Sequence, residues 1–117
     1  MKYKREIYEV LRELGVLPHT KGYTYVSHII NEFLEGNYDE YTRFMKIYSE
    51  TAEKFNSEYR RIERNMRYIV DNLPTSAGRE VLDKYFGDSV SKGKVKLNNQ
   101  SFIRCIVEYM KVYVVKD

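Results

Sequence analysis

The 117-residue sequence has one cysteine, two prolines, six glycines and no tryptophan. A single cysteine cannot close an internal disulfide, so the chain is not a disulfide scaffold and suits a reducing compartment. So few glycines and prolines argue against a turn-rich all-β fold. No apolar run approaches the roughly 20 residues that span a bilayer, and the N-terminus, MKYKREIYEV, lacks the apolar core of a secretion signal. The expectation is a cytoplasmic protein without membrane contact. His19 and His28 are the only histidines, and no His, Cys or carboxylate spacing suggests a metal site. His19 is expected to make a local structural hydrogen bond and His28 to be exposed. Cys105 lies beside an apolar stripe with no base near it in sequence, which reads as buried filler rather than a nucleophile. There is no glycine-rich loop for a phosphate and no strand to carry one. Nothing here indicates an enzyme, a cofactor or a small-molecule substrate.

What is present is apolar periodicity and segregated charge. Hydrophobic residues make up 43% and charged residues 32%, a balance that folds rather than stays disordered. Residues 1–117 read as one compact all-α domain of six to seven helices, large enough for a single core. Ile7, Val10, Leu11 and Leu14 follow helical spacing up to Gly15, and GVLPHTKGY is a connector broken by Pro18. Val26, Ile29, Ile30, Phe33 and Leu34 mark a second helix ending near Gly36. Asn37 resembles an N-cap with Asp39 and Glu40 in its first turn, predicting a third helix through Tyr41, Phe44 and Met45. Ser49 caps a short fourth helix, SETAEKF, with Ala52 and Phe55 inward. Asn56 and Ser57 turn the chain into a fifth helix from Tyr59, stopped by Pro74. A sixth holds Val81, Leu82, Tyr85 and Phe86. GDSVSKGKVKLNNQ is a polar, basic loop, and Asn99 opens a last helix with Phe102, Ile103, Ile106, Val107 and Met110 on one face. The following VYVV either extends that helix or frays.

The net charge of +3 says little, but its distribution says more. Residues 54–68 hold five basic groups (Lys54, Arg60, Arg61, Arg64, Arg67) against Glu58 and Glu63. Lys92, Lys94 and Lys96 form a second basic spot, and Lys2, Lys4 and Arg5 a third. Within NSEYRRIERNMRYIV, four arginines fall within eight residues. At about 100° per residue, Tyr59, Ile62, Met66, Ile69, Val70 and Leu73 share one face, and Arg60, Arg64 and Arg67 gather on the other. Arg61 and Tyr68 flank them, with Glu63 on the opposite edge. The face is either simply solvated or aimed at a polyanion. Like charges three and four apart cost about 0.2–0.5 kcal/mol per pair, so stability alone would not select them. Arginine forks can grip guanine O6 and N7 or a phosphate with two hydrogen bonds, which an ammonium cannot. A short helix with small Ala52 at the crossing, an Asn turn and Ile62 beyond it match a helix-turn-helix over about 48–73, which puts the second helix in a major groove. Arginine faces also grip acidic proteins, so an interaction module binding a protein partner is the alternative, and a non-specific nucleic-acid binder the third reading.

The string GVLPHTKGY, a helix, then AEKFN and RIERNMR resembles the C-terminal DNA-binding effector domain of the stage-zero sporulation response regulator of endospore-forming Firmicutes. The later FG, the Lys-x-Lys loop and the SFI helix start also align, over about residues 7–110. The resemblance implies an all-helical domain in a bacterial, nucleoid-associated regulator with double-stranded DNA as partner. It further implies self-association on tandem DNA boxes and contact with an RNA polymerase sigma factor. The family's contacting positions map onto Arg61, Glu63, Arg64 and Arg67. Arg60 stands where the family usually has Ser and Tyr68 where it usually has His, so these two would tune the target box. Lys54, Ser57, Lys92, Lys94 and Lys96 are the candidates for phosphate contacts. Pro74 replaces a bulky aromatic, and TSAGREV differs from the family's sigma-facing segment. With no room for a phosphoacceptor domain, the expectation is a stand-alone relative, which the initial Met and N-terminal helix favour, or else an excised domain. Its alternative role is to bind the full-length regulator or polymerase and antagonise it.

Overall fold

The computed structural model describes residues 1–115, which form seven helices and no strand. They are α1 (Lys4–Glu13), α2 (Lys21–Leu34), α3 (Phe44–Lys54), α4 (Tyr59–Ser76), α5 (Arg79–Phe86), α6 (Asp88–Ser91) and α7 (Asn99–Tyr113). The Cα radius of gyration is 13.3 Å, the value of about 13 Å expected of a compact chain this long. The all-α expectation is met.

The second helix is the centre of the molecule. Nine of its fourteen residues are buried, and α1, α3, α4 and α7 all pack against it. A helix buried nearly all round, polar Ser27, His28 and Asn31 included, sits inside the core rather than on its surface. Its start is fixed by Thr20, whose hydroxyl accepts from the Tyr23 N–H (3.2 Å) and donates to the Leu17 carbonyl (2.8 Å). The connector's side-chain hydrogen bonds are thus made by Thr20, while His19 is exposed. His28, expected at the surface, is buried with its ring edge-on to Phe55 at 5.3 Å. The apolar stripe alone suggested a free outer face, but α3 covers it.

Two expected helix boundaries moved for local reasons. The segment from Asn37 to Arg43 is a turn, not a helix start. The Asp39 carboxylate accepts from the Tyr41 N–H (2.8 Å) and the Thr42 hydroxyl (3.2 Å), while the Thr42 hydroxyl accepts from the Asp39 N–H (2.9 Å). Short polar side chains that bond nearby backbone compete with helix in this way. Arg104 closes the turn by donating to the Thr42 carbonyl at 3.1 Å. The helix therefore opens at Phe44 and absorbs Ser49, so the expected third and fourth helices are one. At the other boundary Pro74 sits inside α4, which runs on to Ser76. So close to the end the ring forfeits only one carbonyl's partner. Buried Leu73 and Ala77 pin the last turn, and the Ser76 hydroxyl donates to the Leu14 carbonyl at 3.0 Å. Within the supposed loop, residues 88–91 form the single-turn α6. Cys105 is half-buried, and burial raises its thiol pKa. Val112 and Tyr113 extend α7, and Val114 and Val115 end it by both donating to the Met110 carbonyl.

The imidazole of His28 is held below its ordinary value of 6.5 by burial, with Glu32 opposing and Lys54 adding to the depression. The unfolded chain therefore takes up the proton first as pH falls. Stability should be undiminished above about pH 6.5 and should decline from there toward the carboxylate range. Denaturant titrations across that window should show a slope that His28→Gln flattens.

Candidate nucleic-acid interface

The arginine helix is presented by a tight turn. Asn56 adopts φ 50°, the left-handed conformation that Asn tolerates. The Ser57 N–H donates to the Ala52 carbonyl (2.8 Å) and the Asn56 N–H to the Glu53 carbonyl (3.3 Å). That pair of bonds is a Schellman closure of α3. It releases the chain into α4 with Glu58 extended at φ −119°, ψ 147°. From α2, Tyr25 packs on Phe55 at 5.6 Å and its hydroxyl lies 3.4 Å from Ser57 Oγ. The turn between the two helices is thus backed by a third.

The inner face of α4 is Ile62, Met66, Val70 and Leu73, all buried. Gly22 of α2 lets the helices approach: a Cβ there would stand 2.9 Å from the Ile69 side chain and 3.5 Å from the Asn65 carbonyl. With that face committed, Arg60, Arg61, Arg64, Arg67 and Tyr68 are all exposed, Tyr68 by 70%, and Glu63 is half-buried. Arg60, Glu63, Arg64 and Arg67 line one shallow depression of about 160 Å³. Among the described residues the ion pairs are Lys84–Glu13 and Lys92–Asp88, so none of the four arginines has a carboxylate within 4.0 Å. Four unpaired guanidinium groups on one ridge make a strongly positive surface.

The flanks of the ridge differ. On one side a groove of about 730 Å³ runs between α3, α4 and the start of α7. It brings Glu63 and Arg67 together with Lys96, Asn99 and Gln100, over a floor that includes Tyr48 and Tyr59. On the other side Tyr68 lines a separate, mainly apolar hollow of about 420 Å³ with Leu17 and Ile69. The phosphate candidates are likewise unequal. Lys96 is exposed and shares the groove with Arg67, whereas Lys92 is paired with Asp88 at 3.2 Å. Lys94 is exposed, its backbone N–H bonded to the Ser89 carbonyl at 2.8 Å. Lys54 lies over the Phe55 ring at 5.8 Å, and Ser57 is half-buried beneath Tyr25. The third basic spot is locally balanced, because Arg5 shares a groove with Glu6, Glu9 and Glu13.

The sequence did not point to Asn99 and Gln100 as neighbours of the arginine helix. No signal in the chain could, because their proximity comes from packing between segments some 36 residues apart. Among the described residues no three His, Cys, Asp or Glu side chains gather as a metal site, and no helix is long and apolar enough to cross a membrane.

The family model described as "Sporulation initiation factor Spo0A C terminal" matches residues 7–110 of the chain. The match takes in the connector, the α3–α4 pair and the lysine loop.

The like-charged ridge should weaken the fold slightly. Arg64→Gln removes unfavourable neighbours at positions 60, 61 and 67, and should raise stability by about 0.6–1.5 kcal/mol at low ionic strength. The gain should shrink in high salt. Urea denaturation of both proteins at two salt concentrations measures it.

Proposed function

The chain belongs to the Spo0A C-terminal family of DNA-binding effector domains, and from that premise we propose that it is a sequence-specific transcriptional regulator that sets α4 in the major groove. The observation that carries this reading is the unpaired arginine ridge on the outer face of a helix whose inner face is wholly committed to the core. A ridge built this way offers planar donors at a spacing suited to base edges, and a duplex major groove is wide enough to admit the helix. Arg61, Arg64 and Arg67 are assigned to guanine edges or phosphates, and Glu63 to a cytosine amino group. Arg60 and Tyr68 adjust the choice of box. The lysines flanking the ridge hold the phosphate backbone and carry no sequence information.

Self-association on tandem boxes and contact with a polymerase sigma factor belong to the same proposal. Selected DNA answers the first, since paired binding enriches two boxes at fixed spacing.

Selection from random duplex DNA at physiological salt tests the reading. One short box should be enriched. Arg64→Ala should weaken binding to it by about 1–3 kcal/mol and relax one base position. If the folded protein enriches nothing, the reading is wrong: salt-steep binding to any duplex then marks a non-specific nucleic-acid binder, and its absence an acidic protein partner.

The two lysines at the ends of the loop should behave differently. Lys96→Ala should weaken binding to every duplex alike and reduce the salt slope by about one. Lys92→Ala should do less, because Asp88 already compensates that charge. Affinities for an unrelated duplex over a salt series separate them.

A further inference from the structure

The start of α7 is built with unusual care for a segment that carries no conspicuous chemistry. Asn98 accepts from the Ser101 N–H at 2.9 Å while Ser101 Oγ accepts from the Asn98 N–H at 3.1 Å, a reciprocal capping box. One turn on, Phe102, Ile103 and Ile106 are fully buried, so the first turn of α7 is fixed from both sides. The residue held between cap and core is Asn99. Its amide Nδ2 donates to the Glu63 carbonyl of α4 at 3.2 Å.

Among the described residues, Asn99 is the one side chain outside α4 that hydrogen-bonds an α4 backbone group. Asn65 and Asn72 bond only carbonyls of their own helix, at Arg61 and Tyr68. Otherwise α4 is tied to its neighbours by the Ser76 hydroxyl on the Leu14 carbonyl (3.0 Å) at the far end of the helix and by a weak Tyr48 hydroxyl contact to the Met66 sulfur (4.0 Å). Apolar packing holds the rest; it resists separation of the helices but tolerates small sliding and rotation far better than a directional bond does. The bonded carbonyl belongs to Glu63, and Arg67 lies one turn further along the same edge. The same groove holds Lys96 and Gln100, immediately before and after the capped start of α7. A duplex gripped by Lys96 would therefore be tied, through the Asn98 cap and the Asn99 amide, to the turn of α4 that presents Glu63 and Arg67.

We infer that Asn99 is a positioning residue for DNA reading, which holds the Glu63–Arg67 edge of α4 in register with the phosphate-gripping loop before α7. This inference rests on the function proposed above and names a residue that acts on specificity without reaching a base. It makes discrimination uneven along the site. Bases read by Glu63 and Arg67 depend on Asn99, and those read by Arg61, on the far flank, do not.

Two variants test it. Asn99→Ala removes the amide without adding charge. Asn99→Asp keeps the shape, replaces donor with acceptor, and places a carboxylate at a helix N-terminus, where it favours α7. Thermal melts, affinity for the selected box, affinity for single-base variants of that box and affinity for an unrelated duplex are measured for each. The loss of one net hydrogen bond predicts about a fivefold to tenfold fall in the ratio of box to unrelated-duplex affinity. The fall should be confined to the base positions that Glu63→Ala and Arg67→Ala also relax. Asn99→Asp should melt no lower than the parent protein and still lose that discrimination. A purely structural Asn99 would lower the melting temperature and weaken all duplexes together, leaving the ratio unchanged, and that result overturns the inference. A parent protein that selects no box removes the function and the inference together; a box whose single-base discrimination survives in both variants removes only the inference.

Discussion

Burial of α2 on almost every side is the constraint on which the rest of the structure depends. This helix contacts α1, α3, α4 and α7, so the apolar faces of those four helices converge on it, while α3 also packs on α4 and α7 on α4 and α5. Three of its contacts bear directly on the arginine helix. Gly22 removes the bulk that would hold α4 away, and Tyr25 and His28 close on Phe55 at the α3–α4 turn. The pairing of α3 with α4 is therefore held by a third element, and the ridge of arginines inherits its orientation from a helix that carries none of them.

The ridge itself contributes nothing visible to the fold. Its guanidinium groups have no carboxylate partner among the described residues, and neighbouring positives repel. Ion pairs are few anywhere in the protein, Lys84 with Glu13 and Lys92 with Asp88 among the described residues, so what sets the ridge apart is four like charges gathered on one helix face. Like charges clustered three and four residues apart bear a small stability cost on that face. A polyanion bound on that face would remove the cost. Acid is not absent from the ridge: half-buried Glu63 lines the same depression as Arg60, Arg64 and Arg67, yet it forms no ion pair with any of them.

Local chemistry and tertiary packing divide the outcome between them. The core face of α7 was legible because Phe102, Ile103, Ile106, Val107 and Met110 follow the helical repeat, and all five are buried. The Asn56 turn was legible because few residues other than glycine accept its backbone angles. The segment after Gly36 misled because Asp39 and Thr42 fit a helix N-terminus and a polar turn equally well. The turn is the outcome seen, and Arg104, 62 residues away, ties it down. Pro74 misled because a proline stops an isolated helix, whereas here Leu73 and Ala77 bury the turn around it.

The sequence by itself determined the helical class, the inner and outer faces of the arginine helix, and the turn that leads into it. Each of those follows from side chains within a few residues of one another. Only the tertiary structure decided that His28 is buried, that Lys96 rather than Lys92 stands unpaired beside Arg67, and that Asn99 reaches the Glu63 carbonyl. Those relations join segments from different helices. Periodicity along one helix states which face is apolar, but not which neighbour will cover it.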